Sequence, residues 1–327
     1  VDYIEHDQLV YTTAVQRGTT AVQKGAPWGL ARLSHRKTLN LLNYKKYVYD
    51  INGGAGVTVF VIDTGINIKH REFYGRASWG KTIPYGDKDE DGNGHGTHCA
   101  GTIASKAYGV AKKAKVVAVK VLKSNGVGTM SDTIGGVDFA TKQHLALKAE
   151  QGDKYKGSVA NMSLGGGKSR PLESAIAGAI RKGLHFAVAA GNDNRNACNY
   201  SPSGSKDAVT VAASTLQDDR AYFSNYGTCV DVFAPGLNIE SAWKGSSTAK
   251  NTISGTSMAA PHVAGLIAYY LSLSPDNGSA FHSGPITPLG MKDLLKSKAT
   301  RNILSDVDSD TPNLLVYNGA TDDYYAW

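Results

Sequence analysis

The chain has 327 residues, 41% of them hydrophobic and 19% charged, an ordinary globular composition with enough length for a sizeable core. Its net charge of +7 is spread along the chain without interleaved aromatics or a nucleic-acid motif, so nucleic acid is not an expected partner. No apolar run approaches the roughly 20 residues that a bilayer span needs, so a membrane is not one either.

Val1 to Gly25 is polar and without helical period, and the chain starts without Met, as expected of a processed precursor. Ala26-Pro27-Trp28-Gly29-Leu30 reads as an extended segment whose Trp and Leu dock on the body. After Gly53–Gly56, the β-branched run Val57–Ile62 predicts a buried parallel strand that delivers Asp63 at its end. Further strands are predicted over 116–121, 158–163, 184–190, 208–213, 230–233 and 313–317. Helices are predicted over 132–148, 172–182 and 288–297, with another starting at Ser257 and running through Leu266, Ile267, Ala268 and Leu271. This alternation predicts an α/β fold: one domain, with a mostly parallel central sheet and helices on both faces.

In such a sheet, active groups gather at the C-terminal strand ends and nearby helix starts. Ser257 is expected at or next to an N-cap, where free N–H groups and the helix dipole favour a developing negative charge. Pro261 is expected near the edge of the first turn, where a missing N–H costs little. A serine hydroxyl needs an imidazole as base, and the imidazole needs a carboxylate to hold its tautomer. Ser257, His95 and Asp63 supply one candidate for each role. Their order along the chain, Asp-His-Ser, differs from that of the α/β-hydrolases, and Ala259 stands where a G-x-S-x-G elbow needs its last glycine.

Asp63-Thr64-Gly65, His95-Gly96-Thr97-His98 and Gly255-Thr256-Ser257-Met258-Ala259-Ala260-Pro261-His262 together resemble the signatures of subtilisin-like serine proteases. Ala26–Arg32 and the neighbourhoods of Asn192 and Phe223–Gly227 look like the proteinase K branch, and within it the cerevisin-like fungal vacuolar proteases. The resemblance implies a serine endopeptidase that is vacuolar (secreted as the alternative) and monomeric, acts on proteins and peptides, and needs no cofactor for its chemistry. It implies that Asn192 is the oxyanion-hole donor, with the Ser257 N–H as the second. The substrate is expected to lie extended between Gly126-Val127-Gly128 and Ser163-Leu164-Gly165, with Ala189 and Gly191 at the primary pocket. These residues are small and neutral, which predicts broad specificity leaning to apolar or aromatic side chains.

The likeness extends to Ala21–Trp28, which resembles the mature start of proteinase K. Residues 1–20 are therefore expected to be the end of a prosegment, an inhibitor and chaperone of the same chain, and 21–327 the peptidase domain. A tail left in the cleft would make the chain latent. The same residues would also suit an esterase or acyltransferase, or a non-catalytic relative.

Three cysteines allow one bridge and one free thiol. By resemblance Cys198 and Cys229 pair, and Cys99 is a buried free thiol. His95, His98 and Cys99 do not make a four-ligand zinc set. Asp87, Asp89, Asp91 and Gly92 match the opening of a calcium loop, but His98 stands where the closing Glu belongs, so the segment reads as a hydrated acidic loop. A structural calcium is instead expected, by resemblance, on the Asp231 carboxylate and the carbonyls of Lys206 and Ala208. Asn161, Asn199 and Asn277 carry the N-glycosylation pattern; Asn161 is expected to be buried and Asn277 to be the acceptor.

Overall fold

The nine runs that build the central sheet are, in chain order, β1 (Thr58–Asp63), β2 (Ala77–Thr82), β3 (Lys115–Lys120), β4 (Ser158–Met162), β5 (His185–Ala189), β6 (Val209–Ser214), β7 (Val232–Pro235), β8 (Thr300–Arg301) and β9 (Leu314–Leu315). They lie side by side as β8-β9-β7-β6-β5-β4-β1-β3-β2 in a computed structural model that describes residues 19–274 and 286–320. Every neighbouring pair is parallel except β8–β9. Most of the expected prosegment remnant and Asn277 lie outside the described residues.

Strand alternation splits the core into two layers. Phe60 and Ile62 face one cluster, with Val137 and Ala140 of α3 (Met130–Gln151) and Ile176 and Ile180 of α4 (Arg170–Arg181). Val59 and Val61 face the other, with Ile103 of α2 (His95–Ala104) and Val263 and Ile267 of α5 (Thr256–Leu273). Because β1 is covered on both faces, all six of its residues are buried, and its apolar run needs no polar alternation. The helix Pro288–Lys298, α6, follows β7 in the chain, and two-stranded antiparallel ribbons pair Thr20–Lys24 with Lys46–Asp50 and Ile239–Ala242 with Lys250–Ile253.

One local expectation is corrected and one strand is added. Trp28–Leu33 is a short helix, α1, rather than an extended segment. Pro27 at its N-cap has no N–H to lose, and Leu30 and Leu33 are fully buried, while the Trp28 indole donates to the Leu237 carbonyl at 3.2 Å. The edge strand β2 is an addition to the expected set: Ala77–Thr82 has only one buried residue and a register shift between Trp79 and Lys81, so it carries no apolar run.

Candidate active site

At the C-terminal end of β1, Asp63 is fully buried, and the Thr64 N–H fixes its Oδ1 at 2.7 Å. The start of α2 is anchored beside it by Asp91. One oxygen of Asp91 accepts from Asn93 N (3.1 Å), Gly94 N (2.7 Å) and Thr64 Oγ1 (2.9 Å); the other accepts from Thr97 N (2.9 Å). Thr64 Oγ1 in turn accepts from Gly96 N at 2.9 Å. A side chain at Gly96 would put Cβ 2.1 Å from the Gly65 carbonyl, so glycine is what lets α2 dock on this turn.

The result is that His95 Nδ1 lies 2.8 and 3.0 Å from the two Asp63 oxygens. Burial alone would lower the His95 pKa, but the charge and hydrogen bond of Asp63 outweigh it and hold the imidazole well above its ordinary 6.5. With Nδ1–H given to Asp63, Nε2 is left as the basic face. Asp91 is therefore not a hydrated loop carboxylate: it is 8% exposed and caps the helix that begins at His95.

Ser257 is the second residue of α5, whose N-cap is Gly255. Pro261 sits inside the helix, not at its edge, and this has a direct effect on Ser257. The absent Pro261 N–H would have bonded the carbonyl four residues back, that of Ser257. That carbonyl instead accepts from Ser163 Oγ (2.8 Å) and the Cys99 thiol (3.4 Å). Ser257 Oγ donates to the Ser163 carbonyl at 3.1 Å, and Cys99 Sγ lies 4.0 Å from His95 Nδ1. Cys99 is free and buried, and burial raises its pKa.

Asn192 Oδ1 accepts from both Thr256 N and Thr256 Oγ1 at 2.8 Å. This holds the amide so that its Nδ2 and the Ser257 N each lie 3.5 Å from one point beside Gly255. Among the described residues no hydrogen bond takes the Ser257 N–H, an orphan donor of the first turn. The two nitrogens thus lie beside the same space.

Ser163 follows β4 and is tied to Ser257 as above; Leu164 is half-buried and Gly165 exposed. The loop with Gly126, Val127 and Gly128 is exposed and reaches α2 through Asn93 Nδ2, which donates to Ser124 O at 3.1 Å. Ala189 ends β5, and Gly191 N donates to Thr256 Oγ1 at 3.1 Å. Gly191 has φ +105°, and a Cβ there would fall 2.3 Å from Asn225 Nδ2, so this loop also depends on glycine.

In the sequence Asn225 stands out only through the resemblance of its neighbourhood, with no role attached. In the fold it is fully buried, donates to Ala190 O at 2.9 Å, and accepts from Asp193 N (3.0 Å) and Arg195 N (2.9 Å), spanning the loop that presents Asn192. The one sequence signal for such a clamp is the pair Gly191 and Asn192, which marks a loop that needs holding.

The metal-like spacing of His95, His98 and Cys99 does not survive in space. His98 turns away to bond the Ile239 carbonyl at 2.9 Å, and burial lowers its pKa to about 4. The ligand-type atoms that converge, within 4.8 Å of one another, belong to Asp63, His95 and Cys99. Cys198 and Cys229 form a disulfide. Asn161 is fully buried, whereas Asn199 is exposed. Among the described residues no helix is long and apolar enough to cross a membrane.

The sequence pattern of the subtilase family (Peptidase_S8) matches residues 54–318. The subtilisin-like serine protease Pen ch 18 of Penicillium rubens is 62% identical over 98% of this chain, which covers 64% of that relative's length. Subtilisin-like protease 8 of Arthroderma benhamiae is 60% identical over 99% of this chain and 66% of its own length. Among solved structures, a cold-adapted subtilisin-like serine proteinase superposes with a TM-score of 0.79 at 44% identity, over 91% of this chain and all of its own.

Proposed function

The chain belongs to the subtilase family, and we propose that it is a serine endopeptidase of broad specificity, in the proteinase K branch and nearest the cerevisin-like vacuolar enzymes. The observation that carries the reading is the pairing of His95 Nδ1 with Asp63 while two N–H donors, Asn192 Nδ2 and Ser257 N, share a space beside Ser257.

The chemistry follows from this arrangement. The Ser257 hydroxyl rests on the Ser163 carbonyl, and Cys99 Sγ lies between the two residues, 3.4 Å from Ser257 O and 4.0 Å from His95 Nδ1. Oγ attacks the scissile carbonyl carbon while Nε2 takes its proton, and Asp63 stabilises the imidazolium. The carbonyl oxygen becomes an oxyanion facing Asn192 Nδ2 and Ser257 N. His95 then gives the proton to the leaving amine, and water, activated by the same base, opens the acyl-enzyme. The buried neutral surface at Ala189, with Gly191 beside it, supports an apolar or aromatic side chain before the scissile bond and offers no carboxylate for Lys or Arg.

A prosegment as inhibitor, protein and peptide substrates, a monomeric state and a vacuolar or secreted location belong to the same proposal and rest on likeness. A fluorophosphonate probe is expected to add one covalent adduct, located on Ser257 by peptide mapping. An adduct elsewhere, or none after removal of residues 1–20, overturns the assignment. Parallel ester and amide assays separate it from an esterase: an enzyme that turns over esters but leaves folded or denatured proteins intact is not an endopeptidase.

A further inference from the structure

The resemblance leads one to expect a calcium ion held by the Asp231 carboxylate and the carbonyls of Lys206 and Ala208. Those three oxygens do converge, but on the side chain of Lys292, from α6. Its ammonium donates to Lys206 O at 2.7 Å and Ala208 O at 2.8 Å and lies 2.8 Å from Asp231 Oδ2. An ammonium has three N–H donors, and here each has one acceptor.

A calcium ion does not fit this set. It would need the point where the three oxygens converge, with ligands at about 2.3–2.6 Å, and the Lys292 nitrogen holds that point at hydrogen-bond spacings of 2.7, 2.8 and 2.8 Å. Asp231 is also taken on other sides: Thr210 N donates to its Oδ2 at 2.9 Å, and Lys296 Nζ lies 3.9 Å from its Oδ1. One carboxylate beside two lysines repels a divalent cation. The Asp231 and Lys292 side chains are 9% and 14% exposed, so the pair is little screened.

We propose that Lys292 is a built-in replacement for a structural metal ion, which makes this junction between α6 and the starts of β6 and β7 independent of calcium. The tethered cation joins the segment before Val209 to the residue before Val232 without any free ion in solution. Lys292 is carried by the chain itself, so its occupancy is insensitive to dilution or chelation, unlike that of a bound ion. The junction stands at the opposite strand ends from Ser257, so its calcium independence does not rest on the activity.

The test is calcium-dependent melting of the full chain in a Ser257→Ala background, which removes self-digestion. Adding calcium or a chelator is expected to leave the Tm contribution of this site unchanged, so that any response to calcium is the same with and without Asp231→Asn. Lys292→Ala is expected to lower Tm and, because it frees the three oxygens, to increase the calcium-induced rise in Tm. At a calcium concentration of about 100 Kd that added rise should be roughly 5 °C. Combining Lys292→Ala with Asp231→Asn should remove the added rise.

The proposal is overturned by a calcium stabilisation of the parent chain that Asp231→Asn abolishes. A Lys292→Ala variant that folds with no added response to calcium overturns it equally, since the oxygens would then not form a cation site. Should Lys292→Ala fail to fold, calorimetric titration of the parent and of Asp231→Asn with calcium chloride decides. Equal heats support the built-in cation, and a binding event lost with Asp231 refutes it.

Discussion

Asp63 and Asp231 invite comparison. Both are buried beside the central sheet, and each meets a nitrogen at 2.8 Å, yet they stand at opposite ends of parallel strands. Asp63 closes β1 and faces the imidazole that gains and loses a proton in the proposed reaction. Asp231 precedes β7 and faces the ammonium groups of Lys292 and Lys296. One carboxylate is placed to drive a change of protonation, the other to hold two segments together. The proposed chemistry sits at the C-terminal ends of the strands, where parallel α/β sheets bind their ligands, and the proposed tether sits at the opposite ends.

The widest separation between the two sites should come from removing charge at Asp63. Asp63→Asn is expected to lower kcat by about 10⁴, a magnitude taken from other triad proteases, with little change in Tm. A loss below tenfold would mean that the pair does not orient the base.

On the same side of the comparison, Asn192→Ala should reduce kcat by about 10² to 10³ and leave KM nearly unchanged, again a borrowed size measured on a subtilisin. Asn225→Ala, which leaves the Asn192 loop without its buried clamp, should cost about tenfold in kcat, with a modest loss of Tm. Unchanged kinetics there would make Asn225 purely structural.

At the other end the readout reverses. Asp231→Asn leaves the little-exposed Lys292 without its carboxylate, a change worth about 3–5 kcal/mol in buried pairs, so Tm should fall by roughly 5–10 °C while kcat at 25 °C holds.

The smallest effect sharpens the contrast through pH. Neutral His95 is the competent base and its pKa is raised, so kcat/KM should fall with acid at a midpoint above 6.5. Asp63→Asn should move that midpoint down. A parent midpoint below 6.5 would show that Asp63 does not dominate the environment of the ring.

Much of this is legible in the sequence, for physical reasons. β1, β4, β5 and β6 lie in the middle of the sheet, so burial on both faces leaves runs such as Thr58–Asp63 with hardly an exposed atom, and such runs stand out. The edge strand β2 carries Ser78, Lys81 and Thr82 toward solvent and shows no such signal. The residues at Asp63, His95 and Ser257 are recognisable because each chemical role demands one residue type. Their supports are not: Asp91 lies in an acidic run whose other members read as solvated, although it alone caps α2. Lys292 is hidden more deeply, since two of its three acceptors are backbone carbonyls, which every residue possesses.

The proline in α5 has a mechanical consequence. By leaving the Ser257 carbonyl without a helical partner, it hands that oxygen to Ser163, whose own carbonyl holds the Ser257 hydroxyl in return. The peptide plane of Ser257 is thus yoked to the strand end along which the proposed substrate would lie. Under the proposed mechanism, strain or slack introduced into that wall reaches Ser257 directly, so selectivity and reactivity should be hard to re-engineer separately.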